Sequence, residues 1–299
     1  MNISIASLAY NAHGRGSQHA SGPDALLAAD LPEKLSANGH IVSVREVELS
    51  AEEMAQYGGW NRVGIAGGHL AELVTEAKGR RHFVLGLLAD CNGMLGMVGG
   101  LQAGKATHMP KRVGLVWIDA HADYNTPETS PSGMLGGMPV AVACGKALSR
   151  LRLQSKIRYP LQSPDVLMVG MRDIDDLESR ALEDDLLTVF TQRDLVEWSA
   201  ALQHAMEYLC EREDVVYVHV DLDILDPTLA PAAGLPSAGG LSGRELGHAL
   251  SRFLAFDKVG ALGVAAYRAD ADNDGRTRQQ VLDALMGAFG IRETSEIIC

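Results

Sequence analysis

Short, nearly continuous apolar runs recur through this chain, and most of them stop at a cluster of polar residues. "HFVLGLLAD" begins at His82, "RVGLVWIDAHAD" at Arg112, "DVLMVGMRDID" at Asp165, "DVVYVHVDLDILDP" at Asp214 and "VGALGVAAYRAD" at Val259. "MNISIASLA" and "HIVSVREVEL" read as two earlier strands. Runs of this length without polar alternation are strands buried on both faces, and such strands need helices above and below a parallel sheet. Helical patterns lie between them, at 22–36, 175–185, 192–210, 243–254 and 277–289, and "GMLGMVGGLQAG" reads as a small-residue helix able to pack closely. The alternation predicts an α/β chain, a three-layer αβα sandwich on a mostly parallel sheet. Without a linker, low-complexity tract or internal repeat, one domain over 1–299 is expected.

The polar endings gather chemistry. Asp90 and Cys91 close one run, Asp119, His121 and Asp123 another, Arg172 and Asp173 a third, and Asp221 and Asp223 a fourth. In parallel α/β sheets ligands bind beyond the carboxyl ends of the strands. Within D-A-H-A-D and D-L-D the chemical groups alternate, so an extended chain turns them to one face. A lone D-x-D after a strand is usually a turn or a helix cap; two such endings together point to metal. Four carboxylates in one place repel one another and resist ionisation, which two divalent cations would relieve. A carboxylate-rich set with some imidazole suits Mn²⁺ or a similar ion. A metal pair ~3.5–4 Å apart activates water for attack.

Other roles are disfavoured. The formal net charge of −12 argues against nucleic-acid binding through a basic surface. No stretch offers the ~18 unbroken apolar residues of a membrane span. The N-terminal "MNISIASLAYNAHGRG" lacks the basic and long apolar regions of a signal peptide and reads as a first strand. Cys91, Cys144, Cys210 and Cys299 are scattered without paired spacing, so a cytoplasmic, reducing location is expected.

"DAHADYN" and "DLDILDP" resemble the paired signatures of the ureohydrolases, the superfamily of arginase, agmatinase and formiminoglutamase. The resemblance runs almost end to end, through "GPDALLAADL", "TSPSGMLGGMP", "VGMRDIDDLE" and "PAAGLPSAGGLSGREL". It implies an arginase-like sandwich, a dimanganese centre, and hydrolysis of a C–N bond in a small, amino-acid-derived guanidine or amidine. Trimers or hexamers are also implied. Residue by residue, it carries metal-ligand roles to Asp119, His121, Asp123, Asp221 and Asp223. Asp123 and His121 are then the expected catalytic groups, Asp123 moving a proton to the departing amine. Asn125 and Ser132 match positions that hold the amino acid end of the substrate, and Asp175 one that reaches its amino group. Each also has a plain structural reading, as loop residues bonding their own backbone or as a helix cap.

Three positions depart from the pattern. Where the family's site begins with Gly-Gly-Asp-His, this chain reads "LADC", so Cys91 stands where the first histidine ligand would be. Ligation by its thiolate is expected, which would open the site to softer ions such as Zn²⁺, Fe²⁺, Co²⁺ or Ni²⁺. A cysteine here also resembles the hydroxyarginine hydrolase branch. Gly136 replaces a histidine thought to shuttle protons. Ala266 replaces a glutamate that grips the guanidinium, with Tyr267 and Arg268 following; Arg268 is the fourth candidate substrate contact. The alternative expectation is a degenerate member that binds metal or ligand without catalysis. A magnesium phosphatase or nuclease is disfavoured by His121 within the D-x-H-x-D and by the lack of a phosphate-cradling loop.

Overall fold

A computed structural model describes residues 1–15, 20–103 and 110–290; Cys299 lies outside them. Eight strands form the main sheet: β1 (Asn2–Leu8), β2 (Ile41–Glu46), β3 (Phe83–Leu88), β4 (Val113–Ile118), β5 (Val166–Val169), β6 (Thr188–Phe190), β7 (Val215–Asp221) and β8 (Val259–Ala265). Their spatial order is β2-β1-β3-β8-β7-β4-β5-β6, and every pairing is parallel. The sheet has a core on each side. Val116 and Ile118 of β4 enter one apolar cluster, while Leu115 and Trp117 enter the other. The first cluster is covered by Gly22–Leu27, Leu31–Ala37, Ala200–Arg212, Gly243–Phe253 and Arg276–Ala288. The second is covered by Gly59–Gly79, Gly93–Gln102 and Asp176–Asp184. This is the expected three-layer sandwich. No helix among the described residues is long and apolar enough to cross a membrane.

The short strand β6 and the short helices Pro139–Ala143 and Ser149–Gln154 have no counterpart in the sequence reading, and three further departures have identifiable causes. The helical pattern at 22–36 is two helices, parted where Asp30 takes a left-handed φ of 59°. Pro32 sits in the first turn of the second helix, where its missing N–H costs nothing. The pattern at 192–210 likewise breaks at Trp198, φ 53°, because the Ser199 side chain caps Ala200–Arg212 by accepting from the Leu202 N–H. The 21-residue helix Gly59–Gly79 has no counterpart in the sequence reading. Gly64, Gly67 and Gly68 weaken its propensity by roughly 1 kcal/mol each and blur its periodicity. Packing explains them: a Cβ on Gly64 would stand 2.5 Å from Gln154 Oε1, one on Gly67 2.6 Å from Ser155 Oγ and one on Gly68 2.8 Å from the Gln154 carbonyl oxygen. Gly93–Gln102 packs as closely on the same helix: a Cβ on Gly96 would stand 2.6 Å from the Gly67 carbonyl oxygen. One on Gly100 would stand 2.5 Å from that of Ala71.

The amino ends of β4 and β7 carry a different feature. The Glu213 side chain is 1% exposed, its nearest cation the Arg212 Nε at 3.9 Å. Neither carboxylate oxygen accepts a good hydrogen bond. Burial, with the Asp165 charge nearby, pushes this carboxyl up to about 7. The folded chain therefore holds a proton that the unfolded chain releases between about 4.5 and about 7, so stability is lost as pH rises through that window. Glu213→Gln keeps the shape without the charge. Its melting temperature should exceed that of the wild type above pH ~7, and the gap should close below pH ~5. A gap that does not change with pH would refute this account of Glu213.

Candidate metal centre

The four central strands β3, β8, β7 and β4 end side by side. Leu88 pairs with Ala265, Ala265 with Asp221, and Val220 with Ile118. The residues just beyond these ends are therefore neighbours: Cys91 after β3, Ala266 after β8, Asp223 after Asp221 on β7, and Asp119, His121 and Asp123 after β4. The two D-x-D-like endings turn by the same device. Asp119 Oδ1 accepts from the His121 N–H at 2.7 Å, and Asp221 Oδ1 accepts from the Asp223 N–H at 2.8 Å. Each aspartate spends one oxygen on its own backbone; the second oxygen of Asp119 has no hydrogen-bond partner. Asp223 Oδ1 accepts from the Ala120 N–H at 3.1 Å, which ties the two endings together, and its Oδ2 lies 3.0 Å from His121 Nδ1. Asp123 takes a left-handed φ of 50°, a conformation aspartate tolerates better than most residues, and its carbonyl accepts from Val140.

The free ligand atoms fall into two groups. Those of Cys91, Asp119 and Asp123 lie within 4.8 Å of one another, as do those of Asp119, His121 and Asp223. Asp119 belongs to both. Asp221 joins through Cys91, whose Sγ–H donates to Asp221 Oδ2 at 2.8 Å. All but His121 are buried.

So much negative charge out of water is costly. Burial first, and mutual repulsion second, push the carboxyls of Asp119, Asp123 and Asp221 well above the usual range. The Cys91 thiol is raised by burial and then by the charges of Asp221, Asp123 and Asp119. Burial opposes a charge on His121, but its hydrogen bonds to Asp119 and Asp223 outweigh that and push it up to about 11. Asp119 Oδ2 is buried with no hydrogen-bond partner. Orphaned buried carboxylate, carboxyls starved of positive charge and converging ligand atoms all fit a pair of divalent cations.

One neighbour was not anticipated from the sequence. His219 is fully buried on β7, with Nε2 3.4 Å from Cys91 Sγ and Nδ1 2.8 Å from the Tyr217 hydroxyl. Its ring stacks on Trp117, centroids 4.1 Å apart and planes 6° from parallel. Burial depresses its pKa to about 3, so the imidazole is neutral. The signal was legible: Tyr217, His219 and Asp221 alternate, so they share one face of the strand.

The substrate candidates divide. Asn125, itself buried, donates from Nδ2 to Asp175 Oδ2 at 3.0 Å and accepts from Thr129 at 2.9 Å. Asp175 is the N-cap of Asp176–Asp184, so it fills the structural role as well. Glu178 locks this corner by accepting from the Tyr124 N–H at 2.7 Å. Ser132 is exposed and accepts from the Met134 N–H at 3.2 Å. Arg268 is half-buried, its backbone N–H bonded to the Ala232 carbonyl, and among the described residues no hydrogen bond joins its side chain to the carboxylate cluster. Ala266 sits at a left-handed φ of 69°, its carbonyl accepting from Gly234 at 2.7 Å. A Cβ on Gly136 would find only Met134, 3.8 Å away.

This frame has well-characterised counterparts. The profile of the arginase family matches residues 16–290. The arginase of Bacillus caldovelox is 32% identical over 233 residues, 75% of this chain and 76% of that protein. The crystal structure of Bacillus subtilis arginase superposes with a TM-score of 0.84 at 25% identity, covering 100% of both chains. The agmatine ureohydrolase of Thermoplasma volcanium shares the fold at 19% identity, with a TM-score of 0.66 over 98% of this chain and 89% of its own. By length of match and by frame alike, this chain belongs to the arginase family.

Proposed function

We propose that this protein is a dinuclear-metal hydrolase that cleaves a C–N bond in a guanidine-, hydroxyguanidine-, amidine- or amide-like small molecule. The observation that carries this reading is the pair of ligand groups meeting at Asp119. Cys91, Asp119, Asp123 and Asp221 would hold one cation, and Asp119, His121, Asp221 and Asp223 the other. Mn²⁺ suits the carboxylates, and the Cys91 thiolate extends the range to softer ions. Bound there, a cation pair supplies a lowered pKa for water and polarises the carbon under attack.

The protein's own groups do the rest. Asp123, fixed by its left-handed turn, takes the proton of the attacking water and passes it to the departing amine. His121 is oriented by Asp223 on one nitrogen and faces the exposed Asp173 at 3.7 Å on the other. Asn125 and Asp175, already bonded to each other, offer a polar grip for an amino acid tail. Gly136 contributes no side chain to proton transfer, so solvent or another acid completes it. A second reading, a binding protein without turnover, draws on the same Gly136 and on Ala266. Retention of all five carboxylate and imidazole ligands favours the enzyme.

Arginine is a poor fit. Its guanidinium is a permanent cation best met by a carboxylate, and Ala266 offers none. A hydroxyguanidine, amidine or amide is less cationic and escapes that loss.

Elemental analysis checks the centre. Asp119→Ala should empty both sites and Asp221→Ala at least one; full occupancy in either variant overturns the ligand assignment. Cys91→Ser should bind the first metal more weakly, whereas unchanged affinity would reduce the thiol to packing. Steady-state kinetics check the substrate. The backbone at 266 already carries a Cβ, so Ala266→Glu adds no new left-handed strain. It should raise arginine turnover roughly ten- to a hundredfold by restoring a charged hydrogen bond. A wild-type kcat/KM for arginine above about 10⁴ M⁻¹s⁻¹ would restore an ordinary arginase.

A further inference from the structure

We propose that His219 is the positioning residue of the Cys91 ligand, donating its Nε2–H to the sulfur. This rests on the reading of Cys91 as a ligand.

The direction of each hydrogen bond follows from the network. A neutral imidazole has one donor and one acceptor. The Cys91 proton goes to Asp221 Oδ2, 2.8 Å away, so the sulfur faces His219 as an acceptor. His219 Nε2, 3.4 Å from the sulfur, is then the nitrogen that carries hydrogen. Nδ1 is left as the acceptor, and the Tyr217 hydroxyl donates to it at 2.8 Å. Tyr217 thus selects the tautomer, as partners beyond the ligand shell do for many metal sites.

The ring is held for this task. Trp117 and His219 are opposite each other in the β4–β7 register, and their planes stack. Gly263, opposite His219 on β8, makes room for the phenol: a Cβ there would stand 2.0 Å from the Tyr217 oxygen. An apolar side chain at 219 would fill the same space without needing a hydroxyl partner and a glycine.

The need is electrostatic. A thiolate brings a negative charge where an imidazole ligand would bring none, among Asp119, Asp123 and Asp221. A bound cation would take the place of the thiol proton, and the Nε2–H of His219 would still face the sulfur. It stabilises the anion without adding a charge of its own.

The test uses the full chain loaded with Co²⁺, whose thiolate-to-metal charge-transfer band reports on the sulfur. The wild type should show the band and Cys91→Ser should lose it. His219→Phe should keep it at longer wavelength, because sulfur lone pairs rise in energy when they lose a hydrogen bond. Co²⁺ affinity should fall roughly ten- to a hundredfold, the usual cost of losing such a partner. His219→Gln, which retains an N–H donor, should return the band towards the wild-type position. Should His219→Phe fail to fold, Tyr217→Phe carries the test, since it removes one oxygen and frees the tautomer; its band should shift the same way by less. A band present in the wild type and lost in Cys91→Ser, but unmoved in the folded His219 or Tyr217 variant, overturns this inference alone. A wild type that binds Co²⁺ without the band overturns Cys91 ligation and this inference together.

Discussion

Negative charge crowded at the ends of buried strands is the constraint on which the rest of this structure depends. Asp119, Asp123, Asp221 and Asp223 are all buried within one region beyond the sheet. Such a concentration survives in a folded protein only if each oxygen is satisfied or matched by a cation. The backbone satisfies three of the eight carboxylate oxygens. Asp119, Asp221 and Asp223 each accept one backbone N–H, which at the same time shapes the turns that end the strands. The other oxygens converge, and they define where positive charge belongs.

The parallel sheet is what makes the crowding possible. Because every pairing is parallel, all the carboxyl ends lie on one edge, and the central order β3-β8-β7-β4 places four of them in succession. The two apolar clusters on either side of the sheet hold those ends rigid. Small residues do related work further out: Gly96 and Gly100 let two helices close over the second cluster, beneath the segment that carries Cys91.

Within this inherited frame the chain has altered a coherent set of positions. Cys91 stands where the pattern it resembles has a histidine, and its sulfur lies 3.4 Å from Nε2 of His219, a ring braced by Tyr217 and Trp117. Ala266 offers no carboxylate beyond the end of β8, while Asn125 and Asp175 are hydrogen-bonded to each other. Neither departure disturbs the sheet.

Much of this was legible in one dimension. Continuous apolar runs dictate strands covered on both faces, by the period of an extended chain. The alternate aspartates named the residues that converge, but turns just beyond the strands, at 119–123 and Leu222–Ile224, and not an extended chain, bring them together. The breaks at Asp30 and Trp198 and the glycine-rich helix Gly59–Gly79 were obscured, because left-handed turns and close helix contacts are settled by neighbours distant in sequence. The same holds for the centre. The D-x-H-x-D and D-x-D motifs by themselves determined which residues would gather at the strand ends. Only the tertiary structure decided that Cys91 meets Asp221 and His219, some 130 residues away, because that contact exists only once β3, β8 and β7 lie side by side.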